Sequence, residues 1–194
     1  MGRRRIVAAE SDASALEKLK EMIFRSGFNV VGEATDGITV LKLARTTQPD
    51  LVVLDAHLPG MDGLEVAKIL EEESVVPSLL VAARAGRDLL EQVRDSYFIS
   101  ILIKPIRPQQ LYTAVEQALA NHGRFKKLER QLEDLKQTLE SKKVIERAKA
   151  ILMHTKNLSE NEAHKLLQQI SMKKRKSKED IAMAVITAHE LSKH

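Results

Sequence analysis

The 194-residue chain contains no cysteine and no tryptophan, and only two tyrosines and four phenylalanines. The absence of cysteine excludes a disulfide framework, a thiolate zinc site and a cysteine nucleophile. No apolar run approaches the roughly 20 residues that a membrane-spanning helix needs, and the basic start lacks the apolar segment of a signal peptide. We therefore expect a cytoplasmic protein that has no membrane partner.

Charge is distributed unevenly along the chain. Residues 1–122 carry 14 Lys or Arg and 17 Asp or Glu, whereas residues 123–194 carry 17 and 10. The basic C-terminal part favours an anionic partner at that end of the molecule. Solvated helix faces account for such a charge equally well, so the imbalance alone does not identify the partner.

The first 122 residues alternate short apolar runs with segments of helical period. The runs lie at 6–9, 30–31, 51–54, 79–83 and 99–103, and the amphipathic segments lie near 14–26, 36–46, 63–73, 87–96 and 108–121. Five strand–helix units predict a parallel sheet covered by helices on both faces. The uninterrupted apolar run 51–54 is typical of a central strand. Functional residues of such sheets gather at the carboxyl ends of the strands.

Acidic residues and a lysine fall at those strand ends. Glu10 and Asp12 follow the first predicted strand, Asp55 follows the third and Lys104 follows the fifth. Phosphoryl transfer to an aspartate requires an exposed acceptor, acidic oxygens that hold a divalent cation, and a positive charge near the phosphate. The Pro and Gly residues of 57–63 indicate a tight turn after the acceptor. The Lys-Pro bond that closes the last strand is of the class that can adopt the cis form.

Three motifs carry a family resemblance over roughly residues 3–122. They are DLVVLDAHLPGMDG at 50–63, IVAAESD at 6–12 and ILIKP at 101–105. With these motifs the segment resembles the receiver domain of two-component response regulators. The resemblance implies a flavodoxin-like, doubly wound five-stranded parallel sheet, and a sensor histidine kinase as partner.

The same resemblance implies roles for individual residues. Asp55 corresponds to the phospho-acceptor and Lys104 to the phosphate partner. Glu10, Asp55 and the backbone carbonyl of His57 correspond to ligands of a Mg²⁺ ion, and Asp12 is a further candidate ligand.

The sequence departs from the receiver pattern at three positions. Ser11 stands where the family usually has a second metal-binding acid, Ala82 replaces a hydroxyl-bearing residue, and Ile101 replaces an aromatic residue. The first departure predicts weak Mg²⁺ binding, because one direct carboxylate ligand is lost. Two interpretations stay open, namely a receiver phosphorylated at Asp55 and a degenerate receiver that serves as a protein-interaction module.

From about residue 124 the pattern becomes continuous helix. Apolar residues recur at spacings of 3, 4, 3 and 4, which is the a/d seam of a heptad repeat. The seam consists of Phe125, Leu128, Leu132, Leu135 and Leu139. We interpret residues 123–141 as a coiled-coil linker helix that forms a homodimer, with packing inside one chain as the alternative.

Residues 142–194 have the pattern of a small all-α domain of three helices. Ser159 with Glu162, and Ser177 with Asp180, have the spacing of capping boxes at two helix starts. Asn157 and the stretch 173–178 mark the connecting turns.

Three blocks of this domain carry a second resemblance. They are KKVIERAKAILM at 142–153, LSENEAHKLLQQISM at 158–172 and KEDIAMAVITAHEL at 178–191. In this order they resemble the ANTAR domain, the RNA-binding output module of transcription antiterminators. The resemblance implies binding to paired messenger RNA stem-loops, so that a terminator hairpin does not form.

Clustered cations support an RNA interface at this end of the chain. Five of them lie beside a helix start, where phosphate binding is favourable, and two lie on the preceding helix. The segment lacks Trp and Tyr, so base stacking on aromatic rings is excluded as its mode of recognition. The candidate RNA-binding residues are Arg147, Lys149, Lys173, Lys174, Arg175, Lys176 and Lys178.

Besides an RNA-binding regulator, two other functions stay open, namely a DNA-binding activator and a protein-interaction module. An enzyme is not expected, because the sequence has no nucleophile–base set and no nucleotide-binding glycine loop. The helical domain of a DNA-binding activator could contain a helix-turn-helix, but the final helix offers Ala, Met, Val and Ile where a recognition helix has Arg, Asn or Gln. The other rival is an interaction module whose product is the coiled coil.

Overall fold

The computed structural model describes residues 3–73, 75–84 and 86–191, and the chain divides into two compact units, one ending at Lys127 and one beginning at Leu128. The strands of the first unit are β1 (Arg5–Ala9), β2 (Asn29–Ala34), β3 (Leu51–Asp55), β4 (Ser78–Ala82) and β5 (Ile99–Ile103). They are joined by α1 (Ala13–Arg25), α2 (Gly37–Thr47), α3 (Gly63–Glu72) and α4 (Arg87–Val93). All neighbouring strands are parallel, in the order β2-β1-β3-β4-β5. This confirms the predicted doubly wound sheet.

Apolar residues of alternate parity face opposite sides of the sheet, because side chains along a strand alternate. On one side Val7, Val52 and Leu80 pack with residues of α2 and α3. On the other side Ile6 and Val53 pack with residues of α1 and with the start of the next long helix. Every residue of β3 is buried. The central strand therefore has a core on both faces, and Asp55 lies at the C-terminal end of this buried strand.

A single helix, α5 (Pro108–Lys156), runs for 49 residues and contributes to both units. Its first turns are anchored in the sheet unit by Leu111, Val115 and Ala118, all of which are buried. The boundaries expected after residues 122 and 141 lie inside this helix, so neither coincides with a break in secondary structure. The linker and the first helix of the C-terminal domain are thus one continuous element.

The second unit is completed by α6 (Glu160–Lys174) and α7 (Lys178–Leu191). At the start of α6 the Ser159 hydroxyl and the Glu162 carboxylate form the predicted capping box. The predicted turn residue Asn157 has a left-handed φ of 49°. Arg175, with φ of 53°, ends α6, so the second turn is shorter than the predicted 173–178.

The core of this unit is a single cluster of buried side chains from all three helices. It consists of Ala148, Leu152, Ala163, Leu167, Ile181, Ala182 and Ile186. The alanines permit close approach of the helices, as expected from their small size. Within the residues that the structure describes, no helix is long and apolar enough to cross a membrane.

Candidate functional site

The structure brings three of the predicted site residues together at the carboxyl edge of the sheet. Lys104, after β5, places its Nζ 2.7 Å from Oε2 of Glu10 and also donates to Oδ2 of Asp55. Glu10 and Asp55 are each 7% exposed. The Lys104–Pro105 peptide bond is cis. One ammonium thus lies between two nearly buried carboxylates, which leaves the cluster with one net negative charge when all three groups are ionised.

The loop after β3 fixes the Asp55 carboxylate from its other side. The backbone N–H of His57 donates to Oδ1 of Asp55 at 2.6 Å. The loop then turns through Gly60, which has a φ of +77°, and enters α3 at Gly63. Both carboxylate oxygens of Asp55 therefore accept hydrogen bonds, one from a side chain and one from the backbone.

Gly63 allows a close approach of two backbone segments behind Asp55. A Cβ atom added at Gly63 would lie 2.0 Å from the carbonyl oxygen of Asp55, a separation that backbone atoms cannot accommodate. The N–H of Gly63 donates to the carbonyl of Ala56 at 2.9 Å. The sequence indicates only a turn at 57–63, and the Asp-Gly pair that opens α3 was the available signal for this contact. Gly63 is thus a site residue that the sequence analysis missed.

The pKa values of Glu10 and Lys104 are both raised, by different balances of burial, hydrogen bonds and charge. Burial raises the pKa of Glu10, the hydrogen bond from Lys104 partly offsets this, and the charge of Asp55 raises the pKa further. Burial by itself lowers the pKa of Lys104, but hydrogen bonds to Asp55 and to Glu10 outweigh it, so that pKa is raised. Lys104 is consequently a fixed positive charge at neutral pH.

The other positions singled out in the pocket add no side-chain hydrogen bond to this cluster among those described, although the carbonyl of Ala82 accepts from the N–H of Lys104 at 2.9 Å. The Asp12 carboxylate accepts from the N–H of Ala15 at 2.7 Å and caps α1. It is exposed, as is Ser11. Ala82 is buried and Ile101 is half-buried, and neither side chain carries a polar atom. The structure thus assigns Asp12 a capping hydrogen bond, which occupies one of its two carboxylate oxygens.

The donor set can be compared with the needs of Mg²⁺. Glu10 and Asp55 supply carboxylate oxygens of the kind that Mg²⁺ prefers, and the ion commonly binds one or two carboxylates while keeping several waters. Over residues 3–73, 75–84 and 86–191 no group of three or more His, Asp or Glu side chains is placed to hold a metal ion. The residues fit the ion with two carboxylates, and its other ligands must be backbone oxygens and water.

In the second unit, five of the predicted RNA-binding cations lie together at the junction of α6 and α7. Lys173 and Lys174 end α6, Arg175 and Lys176 form the turn, and Lys178 begins α7. All but the half-buried Lys178 are exposed. These five residues, called the basic turn below, form one compact positive surface.

The two predicted cations of α5 have carboxylate partners. Lys149 is only 5% exposed, and its Nζ lies 2.7 Å from Glu160 and 3.0 Å from Glu146. Hydrogen bonds to Glu160 and Glu146 raise the pKa of Lys149. Arg147 is exposed and pairs with Glu190 of α7 at 2.7 Å. In this structure Lys149 joins α5 to α6 through its ion pairs, so its ammonium group is already in contact with two carboxylates.

The predicted coiled-coil residues divide into two groups. Leu128, Leu132, Leu135 and Leu139 are 49–64% exposed, a large exposure for leucines at heptad spacing. Phe125 instead stacks on Tyr97 with ring centroids 5.3 Å apart and meets Phe98 edge-on at 5.4 Å. The ring of Phe125 thus packs against the core of the sheet unit, unlike the leucines that follow it.

Two protein-family models match the chain. The response regulator receiver domain matches residues 6–116, and the ANTAR domain matches residues 133–186. The transcriptional regulatory protein PdtaR of Mycobacterium tuberculosis is 33% identical over 183 residues, which cover 94% of this chain and 89% of PdtaR. The DNA-binding response regulator MtrA of Mycolicibacterium paratuberculosis is 35% identical, but the match covers only 60% of this chain and 52% of MtrA.

Solved structures match the sheet unit. The signal receiver domain of NarL from Mycobacterium tuberculosis superposes with a TM-score of 0.57 and 27% identity, and the match covers 62% of this chain and 98% of that domain. The similarity to PdtaR, in contrast, continues through the helical unit. Regulators of this architecture are non-enzymatic signalling and RNA-binding proteins. The chain therefore belongs to the response regulators in which a receiver domain is followed by an ANTAR domain.

Proposed function

We propose that phosphorylation of Asp55 controls a dimeric RNA-binding output, which binds paired stem-loops in nascent messenger RNA and prevents transcription termination. The observation that carries the receiver part of this proposal is the contact of Lys104 with both Glu10 and Asp55. A receiver domain implies a kinase partner, and the proposal makes that partner a sensor histidine kinase. Binding to nascent transcripts places the protein in the cytoplasm.

The chemistry at Asp55 follows from its surroundings. An Oδ atom of Asp55 forms a bond to the phosphorus of the donor while the bond to the leaving group breaks. The Lys104 ammonium, which remains protonated at neutral pH, offsets the negative charge of the bound phosphoryl group. The His57 N–H keeps the carboxylate oriented. Acceptor, cation and orienting donor are therefore in place before the phosphodonor arrives.

Glu10, Asp55 and the His57 carbonyl would hold a Mg²⁺ ion, and the ion would neutralise charge on the transferred phosphoryl oxygens. The exposed Ser11 hydroxyl offers a neutral oxygen where an acid is usual. The site consequently has one fewer carboxylate than the family pattern, and we propose that it binds Mg²⁺ weakly.

The dimer part of the proposal rests on the exposed leucines of α5. Four leucines at a/d spacing bury little surface within the second unit, although leucine side chains gain free energy on burial. A second copy of the same helix offers a complementary seam. The residues we assign to this seam are Leu128, Leu132, Leu135 and Leu139. Phe125 continues the heptad spacing but packs on its own receiver domain.

RNA binding is proposed for the basic turn, with Arg147 as a further exposed cation and without a direct phosphate contact from Lys149. Two copies of the output, held together by the coiled coil, would bind two hairpins of one transcript. Linkage of the two hairpins then raises the effective concentration of the second one. We expect a two-hairpin RNA to bind far more tightly than a one-hairpin RNA.

The test is a titration of one-hairpin and two-hairpin RNAs against the full-length protein, with and without a small-molecule phosphodonor. Wild type should prefer the two-hairpin RNA, and the phosphodonor should increase that preference. The Leu132→Asp variant should lose the preference while retaining its affinity for one hairpin. Equal binding of both RNAs by both proteins would contradict the paired-site mechanism. Competition by duplex DNA at equal concentration would contradict RNA as the ligand.

A further inference from the structure

Helix α6 has an inner and an outer face. Ala163 and Leu167 are buried in the core of the helical unit, and Leu166 and Ile170 are packed against it. The opposite side carries a stripe of exposed residues at helical spacings of 4, 3 and 4, which places them one above another. This outer stripe consists of Asn161, Lys165, Gln168 and Met172.

The outer stripe contains no acidic residue. The two glutamates of α6 lie in its first turn, where each carboxylate has a hydrogen-bond partner. Glu160 binds Lys149 at 2.7 Å, and Glu162 accepts from the N–H of its own capping residue Ser159 at 2.8 Å. No Asp or Glu occurs from residue 163 through residue 178. The stripe therefore continues into the basic turn without an intervening acid, and the whole surface is complementary in charge to a phosphate backbone.

The residue types of the stripe suit the recognition of bases. An amide side chain offers both a donor and an acceptor to a base edge, and Asn161 and Gln168 are such side chains. Met172, which is 71% exposed, offers a polarisable apolar surface to a base face. The exposed side of α7 is different, since it presents Met183, Thr187 and Leu191 together with alanines and the Glu190 carboxylate, and no amide side chain. Helix α6 is thus the helix that presents amide side chains beside the basic turn.

We propose that the outer stripe of α6 reads the exposed bases of an RNA hairpin loop, while the basic turn binds the adjoining backbone. Sequence-specific recognition of RNA targets unpaired loop bases, whose edges are accessible to side chains. The inference rests on the proposed RNA-binding function and adds which residues select the sequence. Gln168, at the centre of the stripe, is the main specificity determinant.

The experiment selects hairpins from a pool with a constant stem and a randomised loop, using the full-length dimer. Wild type, Gln168→Ala, Asn161→Ala and Lys173→Ala are compared, and Gln137→Ala in the exposed middle of α5 is the matched control. The affinity of each variant is then measured for the loop that wild type prefers and for a scrambled loop. Far-UV circular dichroism checks that each variant retains its helices.

Gln168→Ala should bind the preferred loop about 5- to 150-fold more weakly, if the range for lost base contacts in duplex DNA is applied. Its binding to the scrambled loop should be unchanged, and its selected loops should be more diverse. Lys173→Ala should weaken both RNAs equally, and Gln137→Ala should match wild type. Asn161→Ala should repeat the pattern of Gln168→Ala with a smaller change.

Two adverse outcomes are distinguishable. If wild type selects a loop and both stripe variants select the same loop with unchanged affinity, the inference is wrong and the RNA-binding function stands. If wild type enriches no loop and binds the pool no better than duplex DNA, the RNA-binding function is overturned as well.

Discussion

The two units of this protein are stabilised by hydrophobic cores of very different size. Among the described residues, the receiver buries 18 apolar residues on one side of its sheet and 13 on the other, whereas the helical unit buries seven, of which three are alanine. Loss of one contact should therefore change the free energy of unfolding of the receiver by a smaller fraction than that of the helical unit. Each unit also buries charge, since the receiver holds Glu10 and Asp55 against Lys104, and the helical unit holds Lys149 against Glu146 and Glu160.

The sharpest test of this comparison is at the buried charge of the receiver. Asp55→Asn should abolish incorporation of phosphate from a small-molecule donor, because an amide oxygen cannot form the acyl phosphate that the carboxylate forms. The measurement is phosphoprotein gel electrophoresis with radiolabelled donor. Asp62→Asn is the matched control, since Asp62 caps α3 by accepting a hydrogen bond from the N–H of Leu64, and the amide oxygen of asparagine can accept the same bond.

Ser11→Asp extends the same experiment in the opposite direction. An added carboxylate next to Glu10 should tighten Mg²⁺ binding and speed phosphate incorporation, as titration of Mg²⁺ against the initial rate would show. Equal labelling of wild type and Asp55→Asn would exclude Asp55 as the acceptor.

A second large effect is expected at the exposed seam of α5. Burial of one leucine is worth about 2–5 kcal/mol by comparison with Leu→Ala substitutions in protein cores, and two chains each lose it. Leu132→Asp should therefore sediment as a monomer at micromolar concentration, while the thermal transition of the receiver is unchanged. Gln131→Asp, on the neighbouring exposed position, is the control and should remain a dimer. A dimeric Leu132→Asp protein would show that the chains associate elsewhere.

Sequence patterns predict the central strand and the edge strand β5 of the receiver closely, but only part of the other edge strand, β2. The central run 51–54 predicts β3 almost to the residue, because a strand buried on both faces is uniformly apolar. The edge strand β2 spans Asn29–Ala34, whereas the apolar run 30–31 predicts only two of its residues. It is exposed in part, so Gly32 and Glu33 interrupt the apolar pattern without ending the strand.

Two of the predicted site residues, Lys149 and Phe125, have partners that are distant in the sequence. Lys149 follows Glu146 by three residues, a spacing that signals an ion pair within α5, but Glu160 lies on another helix. Phe125 matches the heptad spacing, yet its partners Tyr97 and Phe98 are more than 20 residues away in the chain. Periodicity reports which face a residue occupies and leaves open which neighbour covers that face.

A smaller effect should follow from loss of the ion pairs between α5 and α6. Lys149→Met keeps the aliphatic stem and removes the ammonium, so it should lower the melting temperature of the helical unit by a few degrees at pH 7. The hydrogen bond from Lys149 holds the pKa of Glu160 below its usual 4.5. The stabilisation is therefore complete above pH 4.5 and is lost as the pH falls through the lowered pKa.

The melting temperatures of wild type and Lys149→Met should accordingly converge in acid. Circular dichroism at a series of pH values measures the difference. Lys143→Met is the control, because Lys143 pairs with Glu140 on the exposed side of α5. A difference that persists below pH 3 would mean that packing, and not the ion pair, is responsible.

The smallest effects are expected on the surface of the output. Lys173→Ala and Arg175→Ala should each weaken binding to every RNA by a similar factor and reduce the slope of log affinity against log salt by about 1. Filter binding at several salt concentrations measures the slope. Lys136→Ala, on the exposed middle of α5, should leave it unchanged. Slopes that differ between RNA sequences would contradict a purely backbone contact.

Gly63 also determines how this receiver can vary. Every replacement of a glycine introduces at least one carbon, and that carbon would meet the carbonyl of Asp55 at 2.0 Å whichever residue was chosen. In a saturation library, position 63 should therefore tolerate none of the 19 substitutions, irrespective of their polarity or size. The steric requirement lies in the backbone and not in any side chain, so a change of side-chain chemistry at position 63 cannot relieve it.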